Sequence, residues 1–254
     1  MKIILNGACG RMGKEIIAAA NKNGVEIVAA VDKFGTPDFE IPFYNSLNEV
    51  NETADAMIDF THHTAVPEIC AFARRSGIPC VVASTGHTES EKAMLSELSK
   101  EYPVFCSRNM SLGINLLIDL CRSAYNALGG DCDIEIIEKH HRNTLDAPSG
   151  TALMIAEGIA ELMPEGTEFV TERATRHSVR PDNEIGISSI RFGGIFGEHE
   201  VLLSRNGETV SLKHTAESRA LFAEGALKAA EYIAGKGAGM YSMKNLLAES
   251  AAVK

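Results

Sequence analysis

The stretch that decides the fold stands at the start of the chain: Lys2-Ile3-Ile4-Leu5-Asn6-Gly7-Ala8-Cys9-Gly10-Arg11-Met12-Gly13. Its first residues are apolar and predict a short buried strand, and the apolar positions after it recur at helical spacing. Between them lie three glycines with the spacing G-x-x-G-x-x-G. Glycines at such a turn let the backbone approach a diphosphate, whose charge is met by amides at the helix N-terminus. The stretch therefore predicts the first β-α-β unit of a nucleotide-binding domain.

An acidic residue follows the second predicted strand, which spans residues 26–31. Asp32 can accept hydrogen bonds from the hydroxyl groups of an adenosine ribose, whereas Lys33 beside it can meet a 2′-phosphate. The pair predicts that both NADH and NADPH are used, with a mild preference for NADH, because Asp32 repels the phosphate that Lys33 attracts. The alternative is a glycine turn that binds no ligand.

Short β-rich runs alternate with helical patterns over the first half of the chain. Further strands are predicted at 56–60, 79–83 and 104–106, and helices at 66–75 and 88–100. Thr88 and Glu91 fit a capping box, and Gly77 is placed to end a helix. The alternation predicts a parallel, Rossmann-type sheet with right-handed crossovers. Loops at 59–61 and 83–86 follow strands and are expected to border the nucleotide, unless they are ordinary turns.

The pattern changes after residue 110. Long helices are predicted at 111–128 and within 148–163, with strands at 133–138, 187–192, 198–203 and 209–214. A final amphipathic helix is predicted at 217–234. The fold class is therefore α/β: a Rossmann-type parallel-sheet domain plus a smaller α+β domain with an open mixed sheet.

Composition excludes several classes of protein. The 254 residues carry a formal net charge of −10, which disfavours broad nucleic-acid binding because that needs a positive surface. The six cysteines show no zinc or redox spacing and indicate free thiols in a reducing, cytoplasmic compartment. No signal peptide, transmembrane helix or metal site is expected.

The densest polar segment spans residues 138–151 and follows a predicted strand. His140 and His141 stand at the strand end, where an imidazole can donate or accept a proton near neutral pH. Ser149, Gly150 and Thr151 open the next helix, whose N-terminus can hold a carboxylate. The other histidines are interpreted mostly as turn or surface residues: His62, His63, His87, His177, His199 and His214.

Taken together, these motifs resemble the 4-hydroxy-tetrahydrodipicolinate reductase family, long called dihydrodipicolinate reductases. The segment from His140 to Ala152 is highly specific to that family. The other matching stretches span nearly the whole chain: residues 7–13, 59–61, 84–86, 109–115, 138–151 and 197–199.

The resemblance implies NAD(P)H-dependent reduction of 4-hydroxy-tetrahydrodipicolinate to tetrahydrodipicolinate, in the diaminopimelate route to lysine. It implies that His140 is the proton donor. Substrate contacts fall on His141, Ser149, Gly150 and Thr151. The residues that it places at the dinucleotide are Gly7, Ala8, Cys9, Gly10, Arg11, Met12, Asp32, Lys33, Phe60, Ala83, Ser84, Thr85, Ser107, Arg108, Asn109 and Met110.

The resemblance also implies an assembly and a domain division. Family members are homotetramers, and their first domain recruits the final helices of the chain. We therefore expect a dinucleotide-binding domain at 1–109 and 216–254, and a substrate-binding and oligomerisation domain at 110–215. The expected partners are a cyclic dicarboxylate and copies of the same chain, with no nucleic acid and no membrane.

One position departs from the family pattern. The family usually has lysine, thought to be a second acid and a positive partner for the dicarboxylate, where this chain has Thr144. Lys139 or Arg142 is a candidate replacement. The sequence leaves open a natural variant with an altered proton path, an engineered substitution, or a dinucleotide-binding paralogue with weakened catalysis. A related imine or amino-acid dehydrogenase is a further alternative, although it has no reason to contain the segment 146–152.

Overall fold

The chain divides into two units in a computed structural model that describes residues 1–252. The first unit combines Met1–Leu112 with the chain from Arg219 onward, and the second is Gly113–Ser218. Each unit has its own sheet and its own buried apolar side chains.

The first unit contains a seven-stranded sheet in which every pairing is parallel. The strands are β1 (Lys2–Asn6), β2 (Glu26–Val31), β3 (Phe43–Tyr44), β4 (Ala56–Asp59), β5 (Cys80–Val82), β6 (Pro103–Cys106) and β12 (Gly239–Tyr241). Their order in the sheet is β12-β6-β5-β4-β1-β2-β3, so the direction of progression reverses beside β1, where ligands bind in such sheets.

Two apolar clusters cover the two faces of this sheet, which explains why its strands read as apolar runs. Alternate residues of β1 separate between them: Ile3 and Leu5 join one cluster, and Ile4 joins the other. The helices of the unit are α1 (Arg11–Asn23), α2 (Val66–Ser76), α3 (Glu89–Ser99), α6 (Ala220–Ile233) and α7 (Met243–Ala252).

Local signals place the ends of these helices. Gly77 follows α2 in the left-handed region, with φ of 71°, and its amide donates to the carbonyl of Ala73. Thr88 and Glu91 form the predicted capping box at the start of α3. Both features come from interactions within one helical turn, so the sequence is sufficient to predict them.

The second unit packs two helices on one face of a five-stranded mixed sheet. The helices are α4 (Leu112–Ala127) and α5 (Gly150–Ala160). The strands are β7 (Asp133–His140), β8 (Glu168–Val170), β9 (Glu184–Arg191), β10 (Gly197–Arg205) and β11 (Glu208–Ala216). Their order in the sheet is β11-β10-β7-β9-β8, and the central strand β7 runs antiparallel to β10 and parallel to β9.

The predicted fold class is confirmed: a parallel sheet with helices and a second, mixed sheet. Three short strands, β3, β8 and β12, were not predicted, because two or three residues cannot show a periodic pattern. Within the part of the chain that the structure describes, no helix has the length and apolar character needed to span a membrane.

Candidate functional site

The glycine loop connects β1 to α1 and is shaped by close backbone contacts. Gly7 has φ of 88°, in the region that favours glycine. A Cβ on Gly13 would lie 2.3 Å from the carbonyl oxygen of Ala8, so glycine is needed there as well. Gly10 is the N-cap of α1, and no side chain among residues 1–250 caps it. The first amides of α1 therefore form a cradle that suits the diphosphate of a dinucleotide.

Asp32 holds this loop in place from the end of β2. Its carboxylate accepts hydrogen bonds from the amides of Cys9 at 3.0 Å, Phe34 at 3.1 Å and Gly35 at 2.8 Å. Lys33 lies over the ring of Phe34, which is 90% exposed. The sequence predicts that Asp32 contacts a ribose. The structure shows that its carboxylate also fixes the path of the glycine loop.

A cavity of about 340 Å³ opens beyond the carboxyl ends of β1, β2 and β4. Five residues that the sequence assigned to the dinucleotide line it: Gly7, Gly10, Asp32, Lys33 and Phe60. Sequence reasoning missed other lining residues, among them His62, Thr64 and Glu68. The remaining assigned residues do not line this cavity: Ala8, Cys9, Arg11, Met12, Ala83, Ser84, Thr85, Ser107, Arg108, Asn109 and Met110.

Asp59 ends β4 beneath these loops and is wholly buried. One of its oxygens accepts from Asn6 Nδ2 at 2.8 Å and from Thr61 Oγ1 at 2.6 Å. Burial raises the pKa of Asp59, although hydrogen bonds from Thr61, Ser84 and Asn6 oppose that rise. The carboxylate thus ties together the ends of β1, β4 and β5.

The loops after β5 and β6 are held by local hydrogen bonds. Ser84 Oγ lies 3.2 Å from His87 Nε2, and Ser107 Oγ donates to the carbonyl of Asn109 at 2.9 Å. Met110 is 2% exposed and belongs to the apolar cluster that α6 covers. Its side chain is therefore part of the core.

His140 occupies the last position of β7, in the second unit, with its side chain 12% exposed. Its Nδ1 lies 2.5 Å from Glu138 Oε2. Glu138 is fully buried and also receives two hydrogen bonds from Arg191, at 2.7 and 2.8 Å. Burial alone would raise the pKa of Glu138, but hydrogen bonds from His140, Arg191, Ser189 and Ser149 lower it to about 2. The carboxylate is therefore ionised at neutral pH.

His199 is buried beside His140, so the interpretation of His199 as a turn or surface residue was wrong. It is 3% exposed, and its ring meets that of His140 edge to face at 5.2 Å. Burial lowers the pKa of His199 to about 3, helped by repulsion from His140. His199 is consequently neutral, and its Nε2 lies 3.3 Å from Ser149 Oγ. The reason for the error is that β10 pairs with β7, a contact that spacing along the chain does not reveal.

The start of α5 carries the residues predicted to bind a carboxylate. Ser149 is the N-cap, and its hydroxyl accepts from the amide of Ala152 at 3.1 Å. Gly150 is the first residue of α5, and among residues 1–250, its chain neighbours and helix backbone aside, no atom lies within 4 Å of the position of a Cβ there. The helix N-terminus around Gly150 and Thr151 is thus open to a small anion, while Ser149 serves mainly to form it.

Thr144 lies close to His141 rather than standing alone. Its Oγ1 is 3.1 Å from His141 Nδ1, and its amide donates to the carbonyl of His141 at 3.0 Å. A hydroxyl group can orient an imidazole in this way, but it supplies no positive charge to a dicarboxylate.

Two functional candidates escaped sequence reasoning. No function is predicted for Glu138 from the sequence, although it begins the polar segment. Its place two residues before His140 puts both side chains on one face of a strand. Arg191 had no signal at all, since its contact with Glu138 depends on the pairing of β7 with β9.

Comparison with known proteins gives matches over both units. Residues 1–110 match the model for the dihydrodipicolinate reductase N-terminus, and residues 113–247 match that for the C-terminus. Proteins named 4-hydroxy-tetrahydrodipicolinate reductase are similar along the chain. The one from Caldanaerobacter subterraneus subsp. tengcongensis is 46% identical over 97% of this chain and 98% of its own, and the one from Clostridium novyi is 42% identical over the same shares.

Solved structures share the fold. A dipicolinate-bound dihydrodipicolinate reductase from Paenisporosarcina sp. TG-14 has a TM-score of 0.79 at 23% identity, covering 95% of this chain and 97% of its own. An amine dehydrogenase from Mycobacterium smegmatis has a TM-score of 0.67 at 10% identity, covering 96% and 95%. Neither alternative function, the weakened paralogue or the imine or amino-acid dehydrogenase, is favoured by these matches. With both family models matched and full-length relatives above 40% identity, the chain belongs to the dihydrodipicolinate reductase family.

Proposed function

We propose that this protein reduces 4-hydroxy-tetrahydrodipicolinate to tetrahydrodipicolinate with NADH or NADPH, as a step of the diaminopimelate route to lysine. One hydride and one proton are consumed, and the hydroxyl oxygen leaves as water. The observation that carries the proposal is the match of both units, at full length, to reductases of this name.

In the first unit, the dinucleotide is held by the loop between β1 and α1. The amides at the start of α1 receive the diphosphate, and the cavity lined by Asp32, Lys33 and Phe60 takes the adenosine half. The loops at 83–85 and 107–110 are assigned to the nicotinamide half. The reduced nicotinamide supplies the hydride when it is bound.

In the second unit, Gly150 and Thr151 bind a substrate carboxylate at the N-terminus of α5, and His141 is a further substrate contact. His140 holds the proton at Nε2, since Nδ1 is engaged by Glu138. Thr144 occupies the place of the family's lysine and orients His141 through its hydroxyl group. Positioning of this kind supplies much of the rate in reactions between two bound partners.

The proposal also includes a quaternary structure and a cellular location. We assign a homotetramer, supported by a partly exposed face of the second sheet, where Ile137 and Leu202 alternate with buried residues. We also assign a cytoplasmic location, supported by six cysteines that are all free.

The test is a steady-state assay of NADH and NADPH oxidation with freshly prepared 4-hydroxy-tetrahydrodipicolinate. We expect turnover with both cofactors and kcat/KM values that differ by less than a hundredfold, because Asp32 and Lys33 oppose each other at the 2′-position. A folded protein that oxidises neither cofactor in the presence of substrate would refute the proposed activity. A kcat/KM preference of more than a hundredfold for one cofactor would refute the prediction that Asp32 and Lys33 offset each other at the 2′-position.

A further inference from the structure

We propose that Glu138 and Arg191 form a buried positioning pair that sets the orientation of His140 and, through the same carboxylate, the place of the N-terminus of α5. The inference rests on the proposed function, because it concerns how the proton donor of that reaction is held. Neither residue is assigned to contact substrate or cofactor, and both act through neighbouring groups.

The contacts of Glu138 are unusually complete for a buried carboxylate. Its Oε2 faces His140 Nδ1 at 2.5 Å and Arg191 Nη1 at 2.8 Å. Its Oε1 faces Arg191 Nη2 at 2.7 Å and the amide of Ser149 at 3.1 Å. Each oxygen thus accepts at least two hydrogen bonds from groups that the fold places around it.

This arrangement decides which nitrogen of His140 carries a hydrogen. An ionised carboxylate only accepts hydrogen bonds, so Nδ1 of His140 must donate to Glu138. The neutral ring is then the Nδ1–H tautomer, and Nε2 is the nitrogen that gains and loses the transferable proton. Gly197 leaves room beside that nitrogen, since a Cβ there would lie 3.1 Å from His140 Nε2.

Arg191 keeps Glu138 in the geometry that His140 needs. It stands opposite His140 in the register of β7 and β9, and it binds both carboxylate oxygens. Its Nη2 also donates to the carbonyl of Asp146 at 2.5 Å, which anchors the segment between β7 and α5. A bidentate guanidinium fixes the plane of a carboxylate more firmly than a single donor does.

The same carboxylate reaches the proposed anion site. Its hydrogen bond from the amide of Ser149 fixes the N-cap of α5, so the proton donor and the helix N-terminus share one anchor. The titratable and charged groups around His140 are Glu138 on β7, Arg191 on β9 and His199 on β10, with His214 of β11 opposite His199. Among them, Glu138 is the acid in contact with the ring.

Glutamine cannot replace Glu138 without conflict. His140, Arg191, Ser189 and Ser149 all donate to this carboxylate, and the amide of glutamine would turn two further N–H donors towards them. Glu138→Gln is therefore expected to lower kcat by about 10- to 100-fold, a part of what a general acid contributes, with KM changed by less than about fivefold.

The matched control is Glu135→Gln. Glu135 also lies on β7 and is also bound by an arginine, Arg180, but it does not contact His140. We expect it to keep kcat within about twofold of the parent. A fall in kcat equal to that of Glu138→Gln would overturn the proposal, because loss of any ion pair on this strand would then explain the effect.

A double-mutant cycle tests the route from Arg191. Arg191→Met alone should lower kcat by about tenfold, but it should add less than about twofold in the Glu138→Gln background, because Arg191 acts through Glu138. Full additivity of the two effects on kcat would overturn that route.

A second variant covers the case in which Glu138→Gln does not fold, as judged by circular dichroism. Glu138→Asp keeps the charge but should lower kcat, because its side chain is one carbon too short to reach His140. A folded Glu138→Asp or Glu138→Gln variant with parental kcat would overturn the proposal.

Nitrogen NMR of the His140 ring separates this inference from the proposed function. The Nδ1–H tautomer should dominate in the parent and be lost in Glu138→Gln, whether or not the protein turns over the substrate. An absence of turnover in the parent refutes the activity alone. An Nε2–H tautomer in the parent refutes the positioning pair alone.

Discussion

Thr144 stands where the family resemblance implies a lysine, and its contacts show what a hydroxyl group does at this position. The Thr144 hydroxyl pairs with His141 Nδ1 at 3.1 Å, so it orders a ring that is proposed to contact substrate. It cannot contribute the charge that a lysine would bring to a dicarboxylate. Thr144 therefore makes a local hydrogen bond, where a lysine would offer an ionic contact.

Restoring lysine tests the value of that charge. We expect Thr144→Lys to tighten binding of pyridine-2,6-dicarboxylate by about tenfold or more, because a hydrogen bond to a charged group contributes ~1.5–3 kcal/mol. Calorimetric titration measures the dissociation constant. Thr144→Met supplies the same reach without charge and should leave binding unimproved. Equal affinities of the parent and the lysine variant would mean that another cation, such as Lys139 or Arg142, already fills this role.

A methyl group added at Gly197 would press on His140 at Nε2, the ring nitrogen that does not face Glu138. We expect Gly197→Ala to lower kcat by about tenfold, since its Cβ would lie 3.1 Å from His140 Nε2 and force the ring to shift. The melting temperature should change little, because the contact lies at one ring edge. The Cβ of Gly194→Ala, in the turn before β10, meets no atom within 4 Å among the described residues beyond its chain neighbours, so this variant should leave kcat unaltered. Equal kcat values for the Gly197→Ala and Gly194→Ala variants would show that the His140 ring accommodates the added methyl group.

At the scale of an element, α3 shows how one carboxylate can join a helix start to a neighbouring loop. Glu91 completes the capping box with Thr88 and also meets His63 Nδ1 at 2.9 Å. The hydrogen bond from His63, followed by that from the backbone of Thr88, lowers the pKa of Glu91 to about 2. The helix therefore secures the loop after β4 as well as its own first turn.

This contact predicts a pH-dependent contribution to stability. A carboxylate whose pKa is depressed on folding stabilises the protein above its unfolded pKa of about 4.5 and loses that effect as pH falls towards 2. The difference in free energy of unfolding between the parent and Glu91→Gln should therefore shrink between pH 4.5 and 2, as measured by urea denaturation. Glu89→Gln, on an exposed side chain of the same turn, should show no such trend. A constant difference for Glu91→Gln would contradict the predicted linkage.

At the scale of the whole molecule, the described residues form three apolar clusters, two in the first unit and one in the second. The first unit covers both faces of its parallel sheet, whereas α4 and α5 cover one face of the mixed sheet in the second. Exposed apolar side chains in the second unit include Ile190, Phe192 and Phe196 around the turn between β9 and β10. These features support the assignment of association between copies to the second unit.

The proposed tetramer has a mass that can be measured directly. One chain is 27.3 kDa, so four copies give about 109 kDa. We expect light scattering after size-exclusion chromatography to report this mass at micromolar concentration, because partly exposed sheet surface is removed from water on association. A mass near that of a single chain would refute the tetramer, and half the expected value would indicate a dimer.

Most of the fold could be predicted from the sequence because its signals are local. The glycine loop, the capping box of Thr88 and Glu91 and the turn at Gly77 each depend on neighbours within a few residues. The short strands β3, β8 and β12 lack such a signal, because they gain their structure from the strands beside them.

The candidate site likewise combines groups that the sequence predicts with contacts that only the folded structure decides. The sequence by itself determined the kinds of group present: a cradle of amides, an imidazole at a strand end and an open helix start, all set by motifs of adjacent residues. The tertiary structure alone decided their partners, since Glu138 meets Arg191 from 53 positions away and Ser149 meets His199 from 50. Spacing along a chain does not specify which strands pair, so contacts across the sheet emerge only when the whole unit has folded.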